Sequence, residues 1–471
     1  MRSRKLILYC VFVVAILFGC LNTHNYSHFG NDNHVTKGYS KSVFHKEFYI
    51  THSDLQNYVK FRQLEGKSKG VEVVLTSISS IRFDTLPCLY VIQYREGFEI
   101  ISADKRSPVP IAMNSQGTYT DCEDKDGLGG HLSLVASEIW LSLNDYLPVA
   151  QEEEQHRINS SLDFWKCISA DSTRILKGNR GRIPNGFWEM VEVDSEEEVF
   201  DSIPHLTTTL WHQNSLYNYY CPEDKDTNNI IRRCPAGCVA IAGAQMLYYL
   251  HNKDGVPTTS PHSGYCTGYV FDNSYFHVFW NYSSATWDLM ESPYVVDTCE
   301  ALLIGDIGKR LNMDYSWDGS GAPVEDLVAS VFAPYGWNSI FLDEYNSSII
   351  VCSLQEGYPV VCAGYRINRG VDKIGHAFLV DRYKRTRTRT RVTWRWVSLE
   401  DDPGASTILL PPDDEFIYSS PHITYYGMNW GQGNLSANNT WCTLSGVWQY
   451  GALPPYCYNR SLIYGFSTIQ N

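Results

Sequence analysis

Apolar and polar positions change rhythm several times along the chain, and each rhythm implies an element. Behind Met1-Arg-Ser-Arg-Lys5 an unbroken apolar stretch runs from Leu6 to Gly19, and polar residues follow from Asn22. A basic start, a short apolar run and a polar continuation predict an export signal over residues 1–20, too short to span a bilayer comfortably. The weakly patterned residues 21–45 read as a flexible tether. From Glu47 to Tyr119 short runs of β-branched and aromatic residues predict strands at Val71–Leu75, Leu89–Tyr94 and Phe98–Ser102, with Tyr94-Arg-Glu-Gly-Phe98 as a hairpin. The rhythm then becomes helical: Leu132, Leu134, Val135, Ile139, Trp140 and Leu143 share a face over His131–Tyr146. Residues 147–200 turn polar and acidic, with Glu152-Glu-Glu154 and Glu196-Glu-Glu198 around a basic Lys177–Arg182 stretch, so an exposed connection and the main domain boundary are expected there. The part from Ile203 onward opens with a helix and closes with strands, an α+β pattern of two lobes. Within it Thr and Arg alternate from Arg382 to Arg391, the period of a solvated hairpin strand; a site for acidic partners is the sharper alternative.

Length and composition bound this picture. A chain of 471 residues holds two or three cores, and two folded units fit the patterning. A formal net charge of -14 repels nucleic acid phosphates, so nucleic acid is excluded as a partner. Thirty-two Tyr and 13 Trp suit strands and surfaces that grip polymers. Fourteen Cys fit an oxidising compartment. Cys221 with Cys234 and Cys442 with Cys457 are spaced for local bridges, while no spacing argues for zinc, and no cofactor is implied. Leu17-Phe18-Gly19-Cys20 resembles a bacterial lipobox, in which a lipidated Cys20 would be the sole membrane attachment; an ordinary secretory signal that happens to contain a Cys is the alternative. Either way the protein is exported, as a cell-envelope lipoprotein or a secreted chain.

The chemistry centres on Cys234-Pro-Ala-Gly-Cys238, which leads into the small-residue helix Val239–Leu250. At a helix start, unpaired N–H groups and the dipole favour thiolate over thiol. Taken alone, Cys238 is as readily a buried or bridged structural Cys. His376 follows Gly375 at the start of an apolar strand, and Asn429-Trp430-Gly-Gln-Gly433 runs into a Gly-rich turn. Gln213 lies upstream in Trp211-His-Gln213, which completes the order Gln, Cys, His, Asn-Trp needed for thiol-based acyl chemistry.

These residues resemble the streptopain family of papain-like bacterial cysteine proteases. Gly237–Gln245 resembles its Cys motif, with Ile241 bulkier than usual; Gly375–Asp381 resembles its His motif, and Asn429–Gly433 its Asn-Trp motif. Leu89–Tyr94 and Gly97–Lys105 resemble its inhibitory propeptide. The resemblance implies a smaller α+β propeptide domain over 46–150, a processing region over 151–200 and a two-lobed, papain-like α+β protease domain over 201–471, helical lobe plus antiparallel sheet lobe. It implies that Cys238 attacks the scissile carbonyl, His376 shuttles the proton and Gln213 holds the oxyanion. Trp430 or Asn429 would orient the imidazole, and Ser320 and Gly375 would line the substrate cleft. Partners would be protein or peptide substrates and the chain's own propeptide as intramolecular inhibitor. Residues 384–425 are an insertion relative to the family, and Asn434 replaces a usual Gly. A catalytically silent adhesin on the same fold, and an acyl-transfer enzyme using the same thiol, are the competing readings.

Overall fold

The computed structural model describes residues 48–83, 86–119, 152–169, 186–254, 265–271, 274–280, 287, 290, 298–368, 372–398, 413–433, 438–443 and 461–469. The export segment, Cys20, the tether, the helix expected at His131–Tyr146, Asn434 and Cys457 lie outside the described residues.

The N-terminal unit opens with helix α1, His52–Ser68, which the strand-only reading of 47–119 missed. Its local signal is a capping box: Asp54 N donates to Thr51 Oγ1 at 3.2 Å, and Thr51 N donates to the Asp54 carboxylate at 2.8 Å. Strands β1 (Leu75–Phe83), β2 (Leu86–Tyr94), β3 (Phe98–Ser102) and β4 (Ala112–Asn114) follow as an antiparallel meander. The first strand thus begins where the predicted one ends. The Tyr94–Phe98 hairpin is present, closed by Tyr94 N donating to Gly97 O at 3.0 Å. Gly97 holds φ +83, and a Cβ there would lie 2.1 Å from Asn114 O, so only glycine fits this turn.

The stretch expected as an exposed connection contains helix α2, Glu152–Ile168, and strand β5, Gly186–Ile203. Beyond it come helix α3 (Cys238–Asp254), helix α4 (Thr298–Arg310), a short π-helix (Leu327–Phe332), strand β6 (Trp337–Leu342) and helix α5 (Ser347–Gln355). Strands β7 (Val360–Asn368), β8 (Asp372–Ser398), β9 (Asp414–Ser419), β10 (Ile423–Asn429), β11 (Trp441–Cys442) and β12 (Ser461–Thr468) complete one sheet. Its order is β1-β2-β3-β4-β11-β10-β8-β7-β12-β6, with β5 and β9 also on β8. Helices and antiparallel strands together make the α+β fold expected from the sequence.

The 27-residue β8 is the spine of this sheet. Its first third pairs with β7, Val360 opposite Val380, and with β10, Leu379 opposite Asn429. Farther along, β5 takes over the β7 side, from Tyr383 opposite Ile203 to Ser398 opposite Gly186, and β9 takes over the β10 side. The Thr-Arg run is therefore an interior strand. Its period of two holds: Thr386 and Thr390 are buried while Arg387, Arg389 and Arg391 are exposed. Its acidic partner is the chain's own Glu196-Glu-Glu198: Arg387 reaches Glu198 at 2.9 Å and Lys384 reaches Glu197 at 3.2 Å.

Alternation along β8 feeds separate cores. Ala377 and Leu379 face α3, α4 and the π-helix; Phe378 and Val380 face α5, β2–β4 and Trp430. A third core joins Tyr58 and Phe61 of α1 and Trp165 of α2 to Val193 of β5 and to Val392 and Trp394 of β8. Replacing Gly97 by Ala forces a left-handed turn on an L side chain against backbone, and should lower unfolding free energy by about 1–3 kcal/mol in a urea titration. An unchanged midpoint would show that the hairpin tolerates a Cβ.

Candidate active site

Helix α3 is buried almost all round, from Val239 and Ala240 to Leu247 and Leu250, so its small first turns sit deep between the sheet and α4. Cys238, its first residue, remains half-buried. The turn before it depends on Gly237, at φ +88, where a Cβ would come within 2.8 Å of Met313 Sδ and 3.2 Å of Ser320 O. That close approach brings the Ser320 hairpin, Asp314–Ser316 against Gly319–Gly321, beside the turn that leads into Cys238. Ser320 Oγ is buried and makes no hydrogen bond among the described residues.

Gln213 arrives from the other side. Its carbonyl accepts from Ala236 N at 2.8 Å, two residues before Cys238, and its side chain is buried. His212 beside it bridges to Gln432 in the Gly-rich turn. That turn packs onto α3, since a Cβ on Gly431 would lie 2.9 Å from Ile241 Cγ2. The segments carrying Gln213, Cys238, Ser320 and Trp430 thus converge on the start of α3.

His376 is buried on β8, opposite Gly364, with exposed Gly375 preceding it opposite Tyr365. Its Nε2 lies 3.0 Å from Trp430 O. A carbonyl only accepts, so Nε2 carries the proton in this contact. The ring lies near-parallel to Trp430, centroids 6.4 Å apart, and Phe378 packs on Trp430 at 4.6 Å. Asn429 points elsewhere: its Nδ2 donates to Thr209 O at 2.7 Å and to Thr207 Oγ1 at 3.2 Å, while its Oδ1 accepts from Gly431 N at 3.2 Å. Of the two residues expected to orient the imidazole, Trp430 touches it and Asn429 braces the strap and turn around it.

Sequence reasoning missed that brace. Asp381, fully buried, accepts from Thr207 Oγ1 at 2.5 Å and lies 2.9 Å from His205 Nδ1; Thr209 Oγ1 donates to Gln245 Oε1 of α3 at 2.8 Å. Asp381 and Gln245 close the His and Cys motifs, which was the available signal; Thr207 and Thr209 carry none, because a lone threonine in a polar strap has no periodicity.

Residues 211–402 match the Peptidase C10 family. The resemblance to the streptopain family therefore holds over this segment. The matched segment carries Gln213, Cys238, Ser320, Gly375 and His376 and stops short of Asn429 and Trp430. Two solved structures from Prevotella intermedia are similar. A prointerpain A fragment is 16% identical, with 83% of this chain and 99% of that chain covered, at TM-score 0.47. Active interpain A cysteine protease is 19% identical, with 56% and 96% covered, at TM-score 0.36. No curated protein matches the chain.

The thiols near this helix differ in reactivity. Burial pushes Cys221 and Cys234 up to about 12, so neither offers thiolate at neutral pH. Limited iodoacetamide treatment of the folded protein at pH 8 should modify Cys238 and exposed Cys352 well before Cys221 and Cys234; peptide mass mapping checks the order. Burial also lowers the basicity of His212. An imidazole kept neutral when folded, against about 6.5 when unfolded, adds stability above that pH that is lost as pH falls through its depressed folded value. Thermal melts from pH 7.5 to 5 should therefore fall less steeply for His212→Gln than for the parent; parallel curves would refute this.

Proposed function

We propose that the chain is an exported cysteine endopeptidase made as a zymogen, with Cys238 as nucleophile. The observation that carries the reading is the convergence at the start of α3: a half-buried thiol, the Gln213 strap hydrogen-bonded two residues before it, and a turn on the first helical turn whose Trp430 carbonyl holds the imidazole of His376. With Nε2–H committed to Trp430, Nδ1 is the nitrogen that takes the Cys238 proton. The thiolate adds to the scissile carbonyl, and the Gln213 amide together with the Cys238 N–H stabilises the oxyanion. His376 returns its proton to the leaving amine as the C–N bond breaks, and water, deprotonated by the same ring, then cleaves the thioester. Ser320 and Gly375 would line the path of an extended peptide, its backbone added as a strand.

The zymogen reading is supported by the N-terminal unit, whose β4 pairs with β11 next to the strand that leads to Trp430. Cutting the connection would relieve latency. Export rests on the first 20 residues, and mass spectrometry of the protein from its native host tests both the lipid on Cys20 and the mature N-terminus.

Cys238→Ala should abolish casein hydrolysis and self-processing together, and Gln213→Ala should lower kcat by about a hundred- to thousand-fold with a smaller change in KM. Covalent labelling by E-64 at Cys238 supports the enzyme, and retained processing by purified Cys238→Ala sinks the assignment.

A further inference from the structure

The stretch 384–398 does something the catalytic reading does not require. It carries β8 beyond the protease sheet and turns one face, Val392 and Trp394, into the third core, against α1, α2 and the β2–β3 pair of the N-terminal unit. Trp394 is almost wholly enclosed, and its Nε1 donates to Cys167 O of α2 at 3.1 Å. Phe164 of α2 packs on Tyr418 of β9, ring centroids 5.4 Å apart, and Ser160 Oγ donates to Ser419 O at 3.3 Å. On α1, Lys60 reaches Glu189 of β5 at 2.7 Å. At the other end Thr443 N donates to Ile111 O at 2.9 Å, and Asn114 Nδ2 to Thr440 Oγ1 at 3.2 Å.

A unit that only lies across a cleft can diffuse away once its connection is cut. One that shares a core cannot leave without exposing that core to water. Here departure would uncover Met190, Val193, Val392 and Trp394 together and strip the Trp394 indole of its acceptor. The Arg-bearing face of the same strand, meanwhile, is held by the acidic β5 on the protease side of any cut between α2 and β5.

We propose that β5 and the 384–398 extension of β8 form a docking platform whose occupant is this chain's own N-terminal unit, so that cutting between α2 and β5 yields a two-chain, non-covalent complex. This stands whether or not Cys238 is the nucleophile, because none of the contacts that form the platform involves Gln213, Cys238 or His376. Activation then proceeds by rearrangement within the complex rather than by release.

The test uses the full chain carrying Cys238→Ala and a recognition sequence for an unrelated site-specific protease inserted between Ile168 and Gly186. After complete cutting, the two fragments should co-elute on size exclusion in buffer and separate only in urea approaching the concentration that unfolds the uncut chain. Separation in plain buffer overturns the proposal. Trp394→Ala or Phe164→Ala in the cut chain should bring separation down by about 1 M urea or more; an unchanged separation point would overturn the assignment to this platform. If either variant fails to fold uncut, Trp394→Phe, which removes the indole donor to Cys167 and a smaller share of the packing, should shift separation the same way by less, and no shift again counts against the platform.

Discussion

One unbroken strand carries the structure. Between Leu379 and Trp394 β8 is paired along both edges, to β7 and β10 first, then to β5, β10 and β9. A strand pinned on both sides cannot slip by a residue without turning every buried side chain outward. That constraint fixes His376, Asp381, Thr390 and Trp394 relative to one another. The candidate base His376, the brace residue Asp381 and the Trp394 face toward the N-terminal unit are thus set by one register.

Around that spine the site is held by polar contacts to segments that have no regular structure of their own. Asp381 takes Thr207, Thr207 and Thr209 take Asn429, and Thr209 reaches Gln245 on α3. Buried and mutually bonded, these groups tie the strap at 205–213, the turn at 429–433 and the helix start into one frame. The imidazole is held by main chain rather than by an amide side chain, which frees Asn429 for the brace.

The charge pattern acquires its meaning from pairing. A net charge of -14 coexists with a strand bearing arginine at alternate positions, and the two meet at the surface of the sheet, where Glu196-Glu-Glu198 lies opposite that strand. The acidic stretch that looked like a connection and the basic stretch that looked like a solvated hairpin are each other's partners. Neither needed an external ligand to explain its composition.

The sequence by itself determined what is local: the helix that begins at Cys238, the hairpin at Gly97, the period-two alternation within 382–391 and the order of Gln213, Cys238, His376 and Trp430 along the chain. The Thr51–Asp54 box, also local, was legible but overlooked. Tertiary structure decided which of Trp430 and Asn429 meets the imidazole, that Gly186–Ile203 is a strand rather than a connection, and that Val392 and Trp394 serve the N-terminal unit. The reason is physical. Helix starts and turns are set by neighbours a few residues away, whereas pairing between β5 and β8 joins residues nearly two hundred positions apart, and only folding decides which edges and faces meet.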